Sequence, residues 1–365
     1  MRGLRIVSPR AVPVVVVAGY LGAGKSTLLN HLLSGAGEAR IGVVVNDFGA
    51  VNIDAMLVSS AAGGGSVRTV SLSNGCVCCT VDDDELEDVL GTLAGRGLDL
   101  IVVEASGLAE PAAMVRRVVL APDPRIDYGG LVYVADAAHL PDTMERHPSL
   151  RHHLALADLV VLNKIDLADD PDTARALVRE HAPSAPVVRT VDAVVPVELL
   201  IDPEVLARRA AERVGTPRQL TLDEALREHE HDHGPDHAGE HGHLHDEYSA
   251  VDVAAGRLDA RAVAELLVDP PRGVFRTKGF VTVADGTRLE VHSVGRHVRT
   301  APERGGRGGP ESVLVFLGIG LDGATVRARV EGCVADPMAA PDAQAVLSLL
   351  RYSDAAQADS AFVED

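Results

Sequence analysis

The chain has 365 residues, a formal net charge of −19 and 46% hydrophobic residues, with no Trp. That length makes two domains the default, and the apolar share supplies a core of Val, Leu, Ile and Ala rather than aromatics. The surplus of negative charge argues against nucleic acid or an anionic membrane as the main partner, and no stretch approaches the roughly 20 apolar residues of a membrane helix.

Arg2, Arg5 and Arg10 before an apolar run imitate a secretory signal. The run leads straight into a glycine loop that cleavage would destroy, so the signal reading is rejected. Of four cysteines, three are packed at 76, 78 and 79, which points to a reduced, cytoplasmic setting with a thiolate cluster rather than a disulfide framework.

VPVVVVA at 12 to 18 predicts a fully buried strand, and it runs into GYLGAGKST at 19 to 27. This segment satisfies G-x-x-x-x-G-K-[ST] through Gly19, Gly24, Lys25 and Ser26, with a helix predicted over 26 to 34 behind it. Backbone N–H groups across Gly19, Gly22, Ala23, Gly24, Lys25, Ser26 and Thr27 can turn onto a phosphate, and the helix aims the positive end of its dipole at the same charge. Lys25 is then expected to reach the β- and γ-phosphates, and the Ser26 hydroxyl suits Mg²⁺.

IGVVVND at 41 to 47 reads as a second buried strand with Asp47 at its carboxyl end. After a loop-like stretch, SVRTVSLSNGCVCCT reads as a strand entering a turn, and 82 to 95 as a helix behind an acidic start. LDLIVVEASG at 98 to 107, GLVYVAD at 130 to 136, DLVVLNKID at 158 to 166 and APVVRTV at 185 to 191 continue the series of strands. Strands alternating with helical stretches predict an α/β fold, a P-loop NTPase parallel sheet with helices on both faces and its site at the strand carboxyl ends.

Two of those ends carry chemistry. In NKID, Asp166 can accept from both the N1–H and the exocyclic amino group of guanine, a donor pair that adenine lacks on that edge. Asn163 is expected to brace the loop, while the aliphatic stem of Lys164 covers a face of the base. In EASG, Glu104 can hold Mg²⁺ or orient the attacking water, and Gly107 can offer an N–H to the γ-phosphate. The alternative for Glu104 is a strand-end acid capping the next helix.

Cys76, Cys78 and Cys79 can supply three thiolates to Zn²⁺, although a closed structural site normally has four protein ligands. Reduced, packed thiols without metal are the alternative. Cys333 is a distant candidate fourth ligand, but its setting VEGCVAD favours a buried structural thiol. Around 202 the composition changes: after a helical piece at 203 to 213, seven of the fifteen histidines fall between 229 and 245. His229, His231, His233, His241, His243 and His245 sit in H-x-H-x-H spacings that offer weak, fast-exchanging metal binding, or simply a solvated linker. Segments from 248 onward suggest a small α+β domain. The expected division is therefore 1–202, a linker at 203–247, a second domain at 248–353 and a tail at 354–365.

GYLGAGKST, GCVCCT, EASG, NKID and a histidine-rich linker, in this order, resemble the CobW family of P-loop GTPases, relatives of UreG and HypB. The resemblance extends over nearly the whole chain, since GVFRTKGFVTV looks like the start of that family's C-terminal domain. It implies slow conversion of GTP to GDP with Mg²⁺, Zn²⁺ or sometimes Co²⁺ at the C-x-C-C motif, and nucleotide-dependent placement of metal in a client protein. A nucleotide-dependent homodimer follows by analogy. One departure is NDFG at 46 to 49, where the family usually shows Glu after Asn; Asp47 keeps the charge on a shorter stem and is a candidate for the Mg²⁺ or for the thiolate-bound metal. A zinc buffer or sensor with a weak or vestigial GTPase, and a P-loop kinase acting on a small molecule, are the competing readings.

Overall fold

The computed structural model describes residues 11–35, 39–46, 68–72, 84–105, 110–201, 248–303, 311–336, 342 and 344–353. Seven strands form a parallel sheet: β1 (Val12–Gly19), β2 (Ile41–Asn46), β3 (Arg68–Leu72), β4 (Leu100–Glu104), β5 (Ile126–Asp136), β6 (Leu159–Asn163) and β7 (Val187–Arg189). Their order is β3-β2-β4-β1-β5-β6-β7, which puts β1 at the centre between β4 and β5.

Val14, Val15, Val16 and Val17 of β1 are all 0% exposed, because both faces of the sheet are covered. The pleat sends Val14 and Val16 into one core and Val15 and Val17 into the other, so a strand sandwiched between layers reads as an unbroken apolar run. The first core is closed by α2 (Asp84–Ala94), α3 (Pro111–Val119), α4 (Leu140–Arg146), α5 (Leu150–Ala155) and α6 (Pro171–His181). The second is closed by α1 (Lys25–Gly35), which turns Leu28, Leu29, Leu32 and Leu33 inward at i, i+1, i+4 and i+5, by residues 193–201, and by Phe275 and Val294 from further along the chain.

Those last two residues belong to an antiparallel sheet of five strands, ordered β11-β10-β9-β12-β8. Its members are β8 (Tyr248–Ala255), β9 (Val274–Thr282), β10 (Arg288–Val294), β11 (His297–Pro302) and β12 (Ser312–Ile319). One side is packed by α7 (Ala260–Val268), α8 (Gly323–Glu331) and α9 (Leu347–Leu350). Asp259 starts α7 by accepting from the N–H groups of Arg261 and Ala262, and Asp322 starts α8 by accepting from Ala324. Cys333 lies in this core, 4% exposed, with its Sγ donating to the Arg329 carbonyl at 3.3 Å. Burial pushes that thiol up, away from the thiolate form that a metal requires.

The two sheets meet where β5 is thinnest. The β1–β5 register shifts between Val14 and Val15 at Gly129 and Gly130. A Cβ on Gly130, which has φ +110°, would meet Val294 Cγ1 at 2.9 Å and the Phe275 ring at 3.0 Å. Polar groups surround this contact: Asp127 pairs with His292 and Arg299, each at 3.3 Å, and Arg276 donates to the Leu200 carbonyl at 3.1 Å.

Most predicted strands are present with ends shifted by one to three residues, and β5 departs furthest. It begins at Ile126 rather than at residue 130, since two adjacent glycines that look like a turn are a bulge inside the strand. Strand β11, helix α9 and the individual helices α3 to α6 were not anticipated one by one. The helical piece at 203–213, the histidine segment and the tail lie outside the described residues. Among the described residues no helix is long and apolar enough to cross a membrane.

Candidate functional site

The carboxyl ends of β4, β1, β5 and β6 stand side by side. Val17 pairs with Glu104, Gly19 with Val134, and Asp136 with Asn163. The crevice of a parallel α/β sheet opens where chain connections leave a strand in opposite directions, and β1 occupies that place.

From Gly19 the chain turns sharply into α1, with the Ala23 N–H donating to the Tyr20 carbonyl at 3.2 Å. Lys25 is the first residue of the helix and is only 8% exposed. Its ammonium curls back over the loop, donating to the carbonyls of Gly19 at 3.1 Å and Tyr20 at 3.4 Å. The charge is thus held over backbone oxygens on the side where the first-turn N–H groups point. Tyr20 itself is steadied by His147, with a 2.8 Å hydrogen bond and ring centroids 5.0 Å apart.

Asn163 ties this loop to two other segments. Its Nδ2 donates to the Ala23 carbonyl at 2.9 Å and its Oδ1 accepts from the Ala193 N–H at 2.7 Å, in a position 3% exposed. The approach is close enough to dictate glycine next door: a Cβ on Gly24, at φ +111°, would lie 2.3 Å from Asn163 Nδ2.

Lys164 adopts φ +58°, rare for a residue with a side chain. That turn carries its ammonium onto the Gly22 carbonyl at 2.7 Å and onto Asp136 Oδ2 at 2.7 Å. Burial alone would raise the Asp136 carboxyl; hydrogen bonds from Lys164 and His139 outweigh it and hold the group below the usual carboxylate range. The Ala138 N–H occupies the other oxygen at 3.0 Å. Asp166 follows in the turn, exposed, with the apolar side chains of Leu167 (65% exposed) and Val191 (45% exposed) on the two flanking loops.

Glu104 ends β4, 4% exposed, between Val17 of β1 and Val45 of β2. The Ala105 N–H extends the ladder by one bond to the Val17 carbonyl at 2.8 Å. Of the other residues singled out in the sequence, Asp47, Cys76, Cys78, Cys79, Gly107 and the six histidines from His229 to His245 lie outside the described residues. Sequence reasoning missed Asp136, Ala193 and Tyr20 as parts of the site. Asp136 stood at a strand end in plain view, but only its partner Lys164 belonged to a motif.

Residues 13–189 match the family profile described as CobW/HypB/UreG, nucleotide-binding domain. Residues 249–334 match the one described as Cobalamin synthesis protein cobW C-terminal domain.

The chain belongs to the CobW family.

With that assignment it is a P-loop GTPase. Among CobW relatives, it is 29% identical to "Zinc chaperone CobW" of a Sinorhizobium species, covering 88% of this chain and 97% of that one. It is 25% identical to "Zinc chaperone YjiA" of Escherichia coli, over 88% of this chain and 98% of that one. A "Zinc chaperone CobW" of Pseudomonas aeruginosa is 34% identical, over 50% of this chain and 55% of that one.

Proposed function

We propose that this CobW-family GTPase is a zinc chaperone in which guanine-nucleotide state sets the metal affinity of the Cys76, Cys78 and Cys79 thiolates. The observation that carries the reading is the Asn163 bridge, which makes the phosphate loop and the NKID segment one unit on the strand edge toward which β3 runs. The names of the Sinorhizobium and Escherichia coli relatives, matched over nearly their full lengths, support zinc as the cargo.

In this reading the backbone of Gly19 to Thr27 cradles the phosphates, and Lys25 moves from its carbonyl partners onto the β- and γ-phosphates. Asp166 selects guanine, while Asn163 and Lys164 hold the loops that frame it. The hydroxyl of Ser26 and the carboxylate of Glu104 are hard oxygen donors of the kind Mg²⁺ takes, with Asp47 a further candidate. A water oxygen attacks the γ-phosphorus, the bond to the β–γ bridging oxygen breaks, and GDP and phosphate leave. Lys25, the Gly107 N–H and the loop N–H groups neutralise charge as it develops, the main demand of phosphoryl transfer.

Strand β3 ends at Leu72, three strands from β1. At about 4.8 Å per strand that is roughly 14 Å, and the four residues from Leu72 to Cys76 can span up to about 13 Å. In this reading the thiolates answer to loops that respond to a γ-phosphate. The histidines at 229 to 245 would gather metal weakly, a client protein would receive it, Co²⁺ is an alternative cargo, and two copies would pair in one nucleotide state.

Steady-state turnover of GTP and of ATP, with zinc stoichiometry on the same preparations, tests the reading. It expects GTP to be strongly preferred, turnover to vanish in Lys25→Ala, and zinc to be lost in the triple Cys→Ser variant at 76, 78 and 79. Equal use of ATP, or unchanged zinc in the triple variant, would overturn it.

A further inference from the structure

A cleft of about 520 Å³ lies where the two sheets meet, lined by no residue of the phosphate loop or of NKID. Helix α6 and strand β7 form one wall, through Arg175, Arg179 and Arg189, while the start of β9 and the start of α8 form the other, through Arg272, Asp322 and Thr325. It runs along β7 from Pro186 and Val187 at the amino end to Arg189 at the other, on the edge strand of the sheet, whereas the phosphate loop follows the central strand β1. The volume falls inside the range of small-molecule sites.

Its charge pattern is anomalous for a chain with net charge −19. Among the described residues four guanidiniums line it and one carboxylate, and that carboxylate is occupied: Asp322 accepts from the Ala324 N–H at 3.1 Å and from the Thr325 hydroxyl, capping α8. None of Arg175, Arg179, Arg189 and Arg272 forms an ion pair or a hydrogen bond among the described residues. The Nε of Arg189 is buried with no acceptor. Arg175 and Arg179 are four apart on α6 and so share a side of the helix. Arg272 lines the cleft opposite Arg175 and Arg179, and desolvation, then the charges of Arg175 and Arg272, draw Arg179 below the ordinary arginine value. Arg179 and Arg272 are exposed, so solvent screens much of the repulsion; the buried Nε of Arg189 is the donor that stays costly unless a third party answers it.

We infer that this cleft is a second anion site, built for a small, multiply charged phosphate compound that bridges α6 and β7 to β9 and α8. Planar guanidinium forks match phosphate oxygens two at a time. The volume admits a diphosphate with a modest organic group attached. Because the anion contacts both sheets, its binding favours the packed arrangement of the two and stabilises the whole chain by mass action.

The test uses the full-length protein with the phosphate loop disabled by Lys25→Ala, metal-free, at fixed ionic strength, titrated with inorganic pyrophosphate by calorimetry. One pyrophosphate is expected to bind per chain. Adding Arg175→Gln and Arg272→Gln should weaken it at least about tenfold, and the Lys pair at the same positions should restore part of the loss. In a chain with Lys25 intact, the Gln pair should leave circular dichroism and GTP turnover unchanged, which separates this site from the nucleotide site. Absence of binding once Lys25 is replaced, or binding indifferent to the Gln pair, would overturn the inference. Tighter binding of a hexaglutamate peptide than of pyrophosphate would overturn the phosphate assignment.

Discussion

Asn163 reaches 140 residues back along the chain to hold the carbonyl of Ala23, at 2.9 Å, in the middle of the phosphate loop. The same amide accepts from Ala193, so three loops depend on one buried side chain. Asn163→Ala leaves a buried carbonyl and a buried N–H without their partner, each costing about 1–3 kcal/mol. We expect unfolding stability to fall by about 2–4 kcal/mol and GDP affinity to fall further than that of a surface control such as Glu180→Ala. Urea unfolding followed by nucleotide titration measures both.

Gly24→Ala acts on the same contact from the other side, since the new Cβ would sit 2.3 Å from Asn163 Nδ2 in a backbone conformation that side chains disfavour. The loop must shift to accept it. The expected outcome is a folded protein, by circular dichroism, whose affinity for a fluorescent GDP analogue is reduced by at least about tenfold.

Lys164 and Asp136 hold each other at 2.7 Å while Lys164 also caps Gly22. Asp136→Asn removes the charge that directs this ammonium and should weaken nucleotide binding by about 1–2 kcal/mol, with Lys164→Met losing at least as much. The double variant should lose less than the sum, because each single change already breaks the shared pair. Additive losses would show that the two act separately.

At the seam between the sheets, Asp158 is half-buried and accepts from Tyr128 at 2.6 Å and Leu131 at 2.9 Å. Burial pushes its carboxyl up to about 6, from an ordinary value of 3.8, despite those hydrogen bonds. Between pH 4 and 6 the folded chain therefore keeps a proton that the unfolded chain releases, so this group's contribution declines as pH rises and is gone above about 6. The full swing is about 3 kcal/mol. The difference between wild type and Asp158→Asn, from urea midpoints at pH 4 to 7, should change by that amount across this window. Asp127, held near 2 by His292, Arg299 and His297 against the opposing effect of burial, titrates below it.

The fold and the meeting of the phosphate loop with NKID at one sheet edge were legible because a strand buried on both faces must be continuously apolar, and because those two motifs are short segments that fold locally. What escaped depends on partners distant in sequence. Asp136 acquires its role from Lys164, Ala193 from Asn163, and the Gly129–Gly130 pair from Phe275 and Val294 of the other sheet. The arginine cleft is less legible still: four residues spread from 175 to 272 carry no spacing that marks them.

The central claim is that nucleotide state and the thiolate cluster are energetically linked. Zinc affinity of the full-length chain, measured by competition with a chromophoric chelator, should differ between the GDP-bound and non-hydrolysable GTP-analogue-bound forms by about 5-fold or more, with the same factor appearing in nucleotide affinity with and without zinc. Equal zinc affinities in the two nucleotide states would contradict it, leaving a GTPase and a zinc binder that share a chain but not a mechanism.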